Sequence, residues 1–384
     1  MIPFLDLRSQ YKAIASEVDA AVRAVVESSQ FVLGPGVASF ERDFSATLGG
    51  CEVIGVNSGT SALHLALLAL DIGAGDEVIT TPMTFIASAA AIAYCGARPV
   101  FVDVDPVTWT LDPARIAAAI SPKTKAIMPV HLHGRSADMD AILAIGEAQG
   151  VPVVEDAAQA HSTTYKGRPA GTLGRVGGFS FYPGKNLGAY GEAGALITHD
   201  REIAARARLL RDWGAVEKYR HVTLGYNYRM DGIQGAVLGV KLRHLASWTA
   251  ARRRLAERYD AALARLDVLR PQLDQGHTWH VYAVGLPGGP ARRDRIRQVL
   301  KAQGVETGIH YPIPVHLQEA FSSLGHHRGD FPVSERLADS LLSLPIYPEL
   351  TDGQLAEVVA KLDTACAEDP GDDDRATRPR SARA

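Results

Sequence analysis

The chain has 384 residues, 46% hydrophobic and 22% charged, with a formal net charge of −3. That length accommodates one large domain and a smaller one, and the composition is that of a globular protein. The near-neutral balance excludes a general affinity for nucleic acid or an anionic membrane, so any anion handled here is bound locally.

In chain order, the opening MIPFLDLRSQYK mixes charges early and contains no apolar signal core, so it reads as an N-terminal arm. GPGVAS (34–39) begins like a dinucleotide fingerprint but lacks the third glycine and an immediately preceding strand. Seven apolar runs then predict strands: EVIGV (52–56), EVITT (77–81), PVFVDVD (99–105), KAIMPV (125–130), VPVVED (151–156), GGFSFY (177–182) and GALIT (194–198). Between them TSALHLALLAL (60–70), FIASAAAIAYCGA (85–97) and ADMDAILAIGEAQ (137–149) predict helices, the second too short to span a membrane. Strands without alternation, separated by helices, predict a mostly parallel seven-stranded sheet covered on both faces. In such an α/β doubly wound architecture, ligands sit at the carboxyl ends of the strands.

After about residue 235 the pattern changes. Residues 237–266 read as one long solvated amphipathic helix, bridging into a smaller α/β section. The expected division is 1–240 for the arm and large domain, 241–366 for the bridging helix and small domain, and a polar, disordered tail at 367–384. Cys51, Cys95 and Cys366 lie far apart with no CxxC pair, which argues against a disulfide framework and fits a reducing cytoplasm.

Four pieces of the first section carry chemistry. VNSGTSALHLALLAL (56–70) is a strand end, a hydroxyl-rich turn and a helix start, which suits a phosphate or an ordinary N-cap. VPVVEDAAQA (151–160) ends a strand with Glu155, Asp156 and then Gln159, where a catalytic carboxylate or another N-cap would stand. FSFYPGKNLGAYGE (179–192) places Lys185 between apolar and aromatic residues, with Ser180 before it. Asn186 follows where a P-loop needs Ser or Thr, so Lys185 is no phosphate-loop lysine. Partly removed from water, its amine has a lowered pKa and suits a Schiff base with a carbonyl; snorkelling to the surface is the bland alternative. TLGYNYRMDGIQGAVL (223–238) sets Asn227 and Arg229 in an aromatic loop, for an anion or a surface ion pair.

One common cofactor needs all four: pyridoxal 5′-phosphate, with its phosphate, its aldehyde and a pyridine nitrogen that wants a carboxylate. Phe85 is the candidate to stack on its ring. His131 and His133 lie two apart without a third ligand at recognised spacing, so they read as core or pocket histidines and no metal is expected.

At this point the sequence resembles the DegT/DnrJ/StrS-type sugar aminotransferases. NSGTSAL, GDEVI, VHLHG, VEDAAQAH, FSFYPGKNLG, GYNYRM and HYPIPVH all look like family motifs, and the likeness runs from PFLDL (3–7) to SLPIYPELTD (343–352). Two small departures are His133, where many relatives carry tyrosine, and Ser162, where glycine is usual. The resemblance implies an aspartate-aminotransferase-like fold (fold type I) and a homodimer with shared active sites. It implies that Lys185 bears the cofactor, Asp156 pairs with the pyridine nitrogen, Gln159 bonds the ring hydroxyl and Phe85 stacks. Gly59, Thr60 and Ser180 would bind the phosphate, and Asn227 would reach that of the neighbouring subunit. Arg229, Tyr311 and His316 would meet the substrate. The implied reaction moves an amino group from L-glutamate to a keto sugar on dTDP or UDP. A cyclitol aminotransferase, a sugar dehydratase and a non-catalytic regulator are the alternatives. Lys185 argues against the dehydratase branch, which has histidine there.

Overall fold

The computed structural model describes residues 1–369. Helix α1 (Leu7–Ser28) is capped by Asp6, whose carboxylate accepts from the Arg8 and Ser9 N–H groups at 3.1 and 2.9 Å. GPGVAS opens helix α2 (Gly34–Thr47), with Pro35 in the first turn.

The next section alternates as expected. Strands β1 (Glu52–Val56), β2 (Glu77–Thr80), β3 (Arg98–Phe101), β4 (Thr124–Ile127), β5 (Val154–Asp156), β6 (Val176–Ser180) and β7 (Gly194–Thr198) correspond one to one with the seven apolar runs. Helices α3 (Gly59–Ala69), α4 (Ala87–Tyr94), α5 (Pro113–Ala119), α6 (Met139–Gln149) and α7 (Arg201–Arg211) connect or follow them. The ladders β3-β2-β4 and β1-β7-β6-β5 are joined by parallel bridges at Ile127–Val153 and Val130–Asp156. The sheet order is therefore β3-β2-β4-β5-β6-β7-β1, in which β7 alone runs against its neighbours. Several strands are shorter than their apolar runs. After Phe101, for example, the chain leaves β2, and Val104 bridges to Leu111 instead.

Helix α3 is apolar on nearly all sides and buried on nearly all sides, as such a helix must be. It lies close on the sheet because β6 offers glycine beneath it: a Cβ on Gly178 would stand 2.7 Å from Leu63 Cδ2. Burying Leu63, Leu65 and Leu67 contributes about 1.5–3 kcal/mol each. This packing fixes the first turn of α3 against the end of β6.

Helix α8 (Gly232–Leu263) starts earlier than the expected 237, because Ile233 and Val237 continue an apolar face against α1. Not all of its charges are solvated, contrary to the sequence reading. Lys241 is 1% exposed and donates to Gly188 O at 2.7 Å, and the buried Arg252 donates to Trp279 O and Ile346 O at 3.1 and 2.7 Å. Beyond α8 come β8 (Tyr282–Gly285), α9 (Gly289–Ala302), α10 (Pro332–Ser340), β9 (Leu341–Leu344) and α11 (Asp352–Glu368). Strands β8 and β9 pair antiparallel over a core of Tyr259, Trp279, Tyr282, Ile296, Leu344 and Val358. Ile2 joins that core and bridges Val305, so the N-terminal arm ends here. Of the tail expected at 367–384, residues 370–384 lie outside the described residues, while 367 and 368 complete α11. Among the described residues, no helix is long and apolar enough to cross a membrane.

Candidate active site

The site lies at the carboxyl ends of β5 and β6. Asp156 closes β5, held by its own N–H to Pro129 O (2.9 Å) and by His131 N–H to its carbonyl (3.0 Å). Its buried carboxylate accepts from Ser88 Oγ at 2.6 Å and from the Ala158 N–H at 3.1 Å. Burial pushes its pKa up, opposed first by the Ser88 hydroxyl, then by the Ala158 N–H and the charge of Lys185. The neighbouring Glu155 serves a different purpose. It accepts from the Gly171, Leu173 and Gly174 N–H groups at 2.7, 2.6 and 2.6 Å, and from His131 Nε2 at 2.8 Å. The Ala137 N–H donates to His131 Nδ1, which leaves the ring proton on Nε2 for Glu155. His131 is thus a core histidine.

Lys185 follows β6 in a tight turn closed by its N–H to Tyr182 O at 2.8 Å. Protein crowds its amine, and that burial draws its pKa down to about 8, with the Asp156 charge opposing. Lysine and carboxylate therefore share one pocket, each within the field of the other. Four histidines surround them: His133, His161, His280 and His310. Burial is the main cause holding each one low, to about 3, about 3, well below the usual value and about 4 respectively, and the Lys185 charge adds to it. They are neutral at physiological pH. Asn186 orients one of them. Its amide donates to Thr278 O (3.0 Å), so its oxygen faces His280 Nδ1 (3.3 Å) and leaves the His280 Nε2 lone pair free.

The first turn of α3 completes the pocket. Ser58 caps it by accepting from the Ser61 N–H at 3.0 Å. The Gly59 and Thr60 N–H groups have no acceptor among the described residues. Gly59 presses this turn against Ser180: a Cβ there would meet Ser180 Cβ at 2.5 Å. On the other side, Gln159 accepts from the His133 N–H at 2.6 Å and donates to Tyr311 OH at 2.9 Å. Phe85 is 54% exposed, its ring 5.6 Å from that of Tyr311.

The structure thus gathers Lys185, Asp156, Gln159, Phe85 and Tyr311 around one pocket, with the Gly59–Ser180 contact and the Thr60 N–H at the neighbouring helix start. It leaves three expected residues apart from Lys185. Asn227 is exposed, its carbonyl accepting from Asn57 Nδ2 at 3.1 Å. Arg229 pairs with Asp212 at 3.2 Å and donates to Asn227 Oδ1 at 3.1 Å. His316 is buried against Phe331, 3.1 Å from Glu335. Sequence reasoning missed Ser88, His280 and His310. The only local signal was a small hydroxyl at the start of an apolar helix for the first, and a lone histidine after an aromatic for the second.

Uncapped helix N–H groups and a serine hydroxyl suit a phosphate, and the low-pKa amine suits an aldehyde. A buried carboxylate suits a ring nitrogen, and an open aromatic face suits the ring itself. The residues present fit pyridoxal phosphate. Among the described residues no three His, Cys, Asp or Glu side chains gather as a metal would need. Strand ends, lysine and carboxylate together define a pyridoxal-phosphate enzyme of the aspartate-aminotransferase fold. The chain belongs to the DegT/DnrJ/EryC1/StrS aminotransferase family, whose pattern matches residues 12–363. It is 45% identical over 366 residues to a pleiotropic regulatory protein of Geobacillus stearothermophilus, covering 94% of this chain and 97% of that one. It is 44% identical over 363 residues to the dTDP-3-amino-3,4,6-trideoxy-alpha-D-glucose transaminase of Streptomyces venezuelae, covering 93% and 94%. The crystal structure of S. venezuelae DesV in complex with a ketimine intermediate matches with a TM-score of 0.91 at 44% identity, covering 94% of this chain and 98% of that one. Solved relatives hold the cofactor in its pyridoxal or pyridoxamine form. This chain is a pyridoxal-phosphate-dependent aminotransferase.

Proposed function

We propose that the enzyme moves an amino group from L-glutamate to the keto group of a dTDP- or UDP-linked deoxy sugar in amino-sugar biosynthesis, as a cytoplasmic homodimer. The observation that carries the reading is the shared pocket of Lys185 and Asp156, in a chain similar along its length to a dTDP-amino-sugar transaminase. An exposed apolar set at Trp213, Val216, Tyr219, Val222 and Leu224 supports the dimer. In that dimer Asn227 would reach the neighbouring subunit's cofactor phosphate.

Gly59, Thr60 and Ser180 would hold the cofactor phosphate, Asp156 its ring nitrogen, Gln159 its ring hydroxyl and Phe85 its face. Lys185 would hold its aldehyde carbon. When bound, pyridoxal phosphate supplies an exchangeable carbonyl and a ring that accepts the electrons released at the reacting carbon. The amine of Lys185, brought near neutrality by burial, takes the α-proton of the amino donor. In the second half of the reaction it returns a proton to the carbon that was the sugar ketone. Asp156 keeps its charge against the ring nitrogen, while the neutral histidines add no competing cation. Tyr311 would meet the sugar substrate, and Arg229 that of the neighbouring subunit; His316, buried against Phe331 and Glu335, is not among the substrate contacts.

The visible spectrum of the protein loaded with pyridoxal phosphate, before and after L-glutamate, tests this. The cofactor band should bleach with glutamate and return with the correct keto sugar. Lys185→Ala should still bind the cofactor through its phosphate and lose turnover by about 10²–10⁴-fold or more. Full activity in that variant would overturn the reading. Return of the band with a free cyclic ketone, and with no nucleotide-linked one, would favour a cyclitol substrate. The likeness to a pleiotropic regulatory protein favours a regulatory role as the second reading, and failure to bind the cofactor at all would select it.

A further inference from the structure

Ser88 lies in the first turn of α4 and is 1% exposed. Its Oγ is 2.6 Å from Asp156 Oδ2, 2.7 Å from Thr84 Oγ1 and 3.3 Å from Phe85 O. A serine hydroxyl has one proton, and both a carboxylate and a carbonyl oxygen only accept. The proton goes to the nearer, charged oxygen of Asp156. Thr84, also buried, must then donate to Ser88. The direction of both bonds follows from this proton count. The same turn, 84–88, carries Phe85 to the mouth of the pocket, where its ring meets Tyr311.

We propose that Thr84 and Ser88 are positioning residues, an ordered chain of donors from Thr84 to Ser88 to Asp156 that keeps the carboxylate ionised, aims it, and ties the Phe85 ring to its position. The inference rests on the cofactor reading of Asp156 given above. Burial pushes the Asp156 carboxyl toward protonation, and Ser88 is the foremost interaction opposing it. The other groups facing the carboxylate are Lys185, His131 and Tyr311. His131 is committed to Glu155, and the Tyr311 hydroxyl accepts from Gln159. Lys185 is itself committed once its amine is engaged with the cofactor. During turnover the hydrogen bonds from Ser88 and the Ala158 N–H then remain, and Ser88 is the one that a side-chain substitution can remove.

The test titrates the apoprotein with pyridoxal phosphate at fixed pH and then acidifies the complex, following the visible band. Ser88→Ala should weaken binding by about tenfold or more. It should also move the acid midpoint of the band upward by about one pH unit, because a carboxylate that loses a donor protonates more easily. Ser88→Thr, which keeps the hydroxyl, should restore both, and Thr84→Val should fall between. Wild-type affinity and midpoint in Ser88→Ala would overturn the proposal, as would equal losses in Ser88→Ala and Ser88→Thr, which mark a packing role. If Ser88→Ala does not fold, Thr84→Val decides by the same two readings. Asp156→Asn separates the two levels of inference. Wild-type affinity in Asp156→Asn removes the cofactor reading itself, whereas a loss there with Ser88→Ala unchanged removes only the donor chain.

Discussion

Glu155 and Asp156 are neighbours in sequence with opposite fates, because a strand turns successive side chains to opposite faces. One braces the loop at 171–174 and the other faces Lys185. Two positions make predictions at this scale. Gly59→Ala would force the start of α3 off Ser180, so cofactor affinity should fall about tenfold or more in a fluorescence titration of the apoprotein, if the helix start binds the phosphate. Ser162 has φ 62°, a left-handed backbone that costs a non-glycine residue about 1 kcal/mol. Ser162→Gly, at this exposed site, should raise stability by up to about that amount in urea unfolding, and a decrease would sink the idea. Lys185 and Asp156 were legible in the sequence because each ends an apolar run, where a charged group needs a reason. Ser88 and His310 were not, since their meaning depends on partners from distant elements: Asp156 for the first, Ser343 (2.8 Å) for the second.

At the scale of elements, the seven strands were legible because apolar runs without alternation occur only where both faces are covered. Their ends were less so: hydrogen bonding to a neighbour, not hydrophobicity, decides where a strand stops. Helix α8 shows the limit more sharply. Its spacing looked solvated, yet Arg252 is buried and satisfies two carbonyls, Trp279 O and Ile346 O, that tie it to the C-terminal section. No composition rule reveals which cation on a helix meets unsatisfied carbonyls. Arg252→Ala would leave both without that donor and open a cavity, and should destabilise the protein by about 3–5 kcal/mol in urea unfolding. Lys241, further up the same helix, reaches Gly188 O and lies over the Tyr190 ring at 4.3 Å. α8 thereby holds the far side of the loop that carries Lys185.

For the whole molecule, the buried histidines set an acid limit. Unfolded, each would titrate near pH 6.5; folded, His133, His161 and His310 titrate near 3 to 4. Below pH 6.5 the unfolded chain binds more protons, so their contribution is complete above that pH and is lost as pH falls toward 4. At pH 5 each costs about 2 kcal/mol relative to pH 8. The melting temperature of the apoprotein should therefore drop steeply between pH 6.5 and 4, and a flat profile would show these rings to be solvated.

The antiparallel course of β7 has a further effect on what this scaffold tolerates. Ser180 and Gly194 are direct partners in the β6–β7 ladder, so residues 181–193, with Lys185 among them, form a hairpin fastened at both ends to the middle of the sheet. An insertion or deletion there would slip the register of two central strands and turn their buried side chains outward. This hairpin should therefore keep a fixed length, and a one-residue insertion within it should abolish folding. Attempts to redirect the enzyme by loop grafting should leave residues 181–193 untouched.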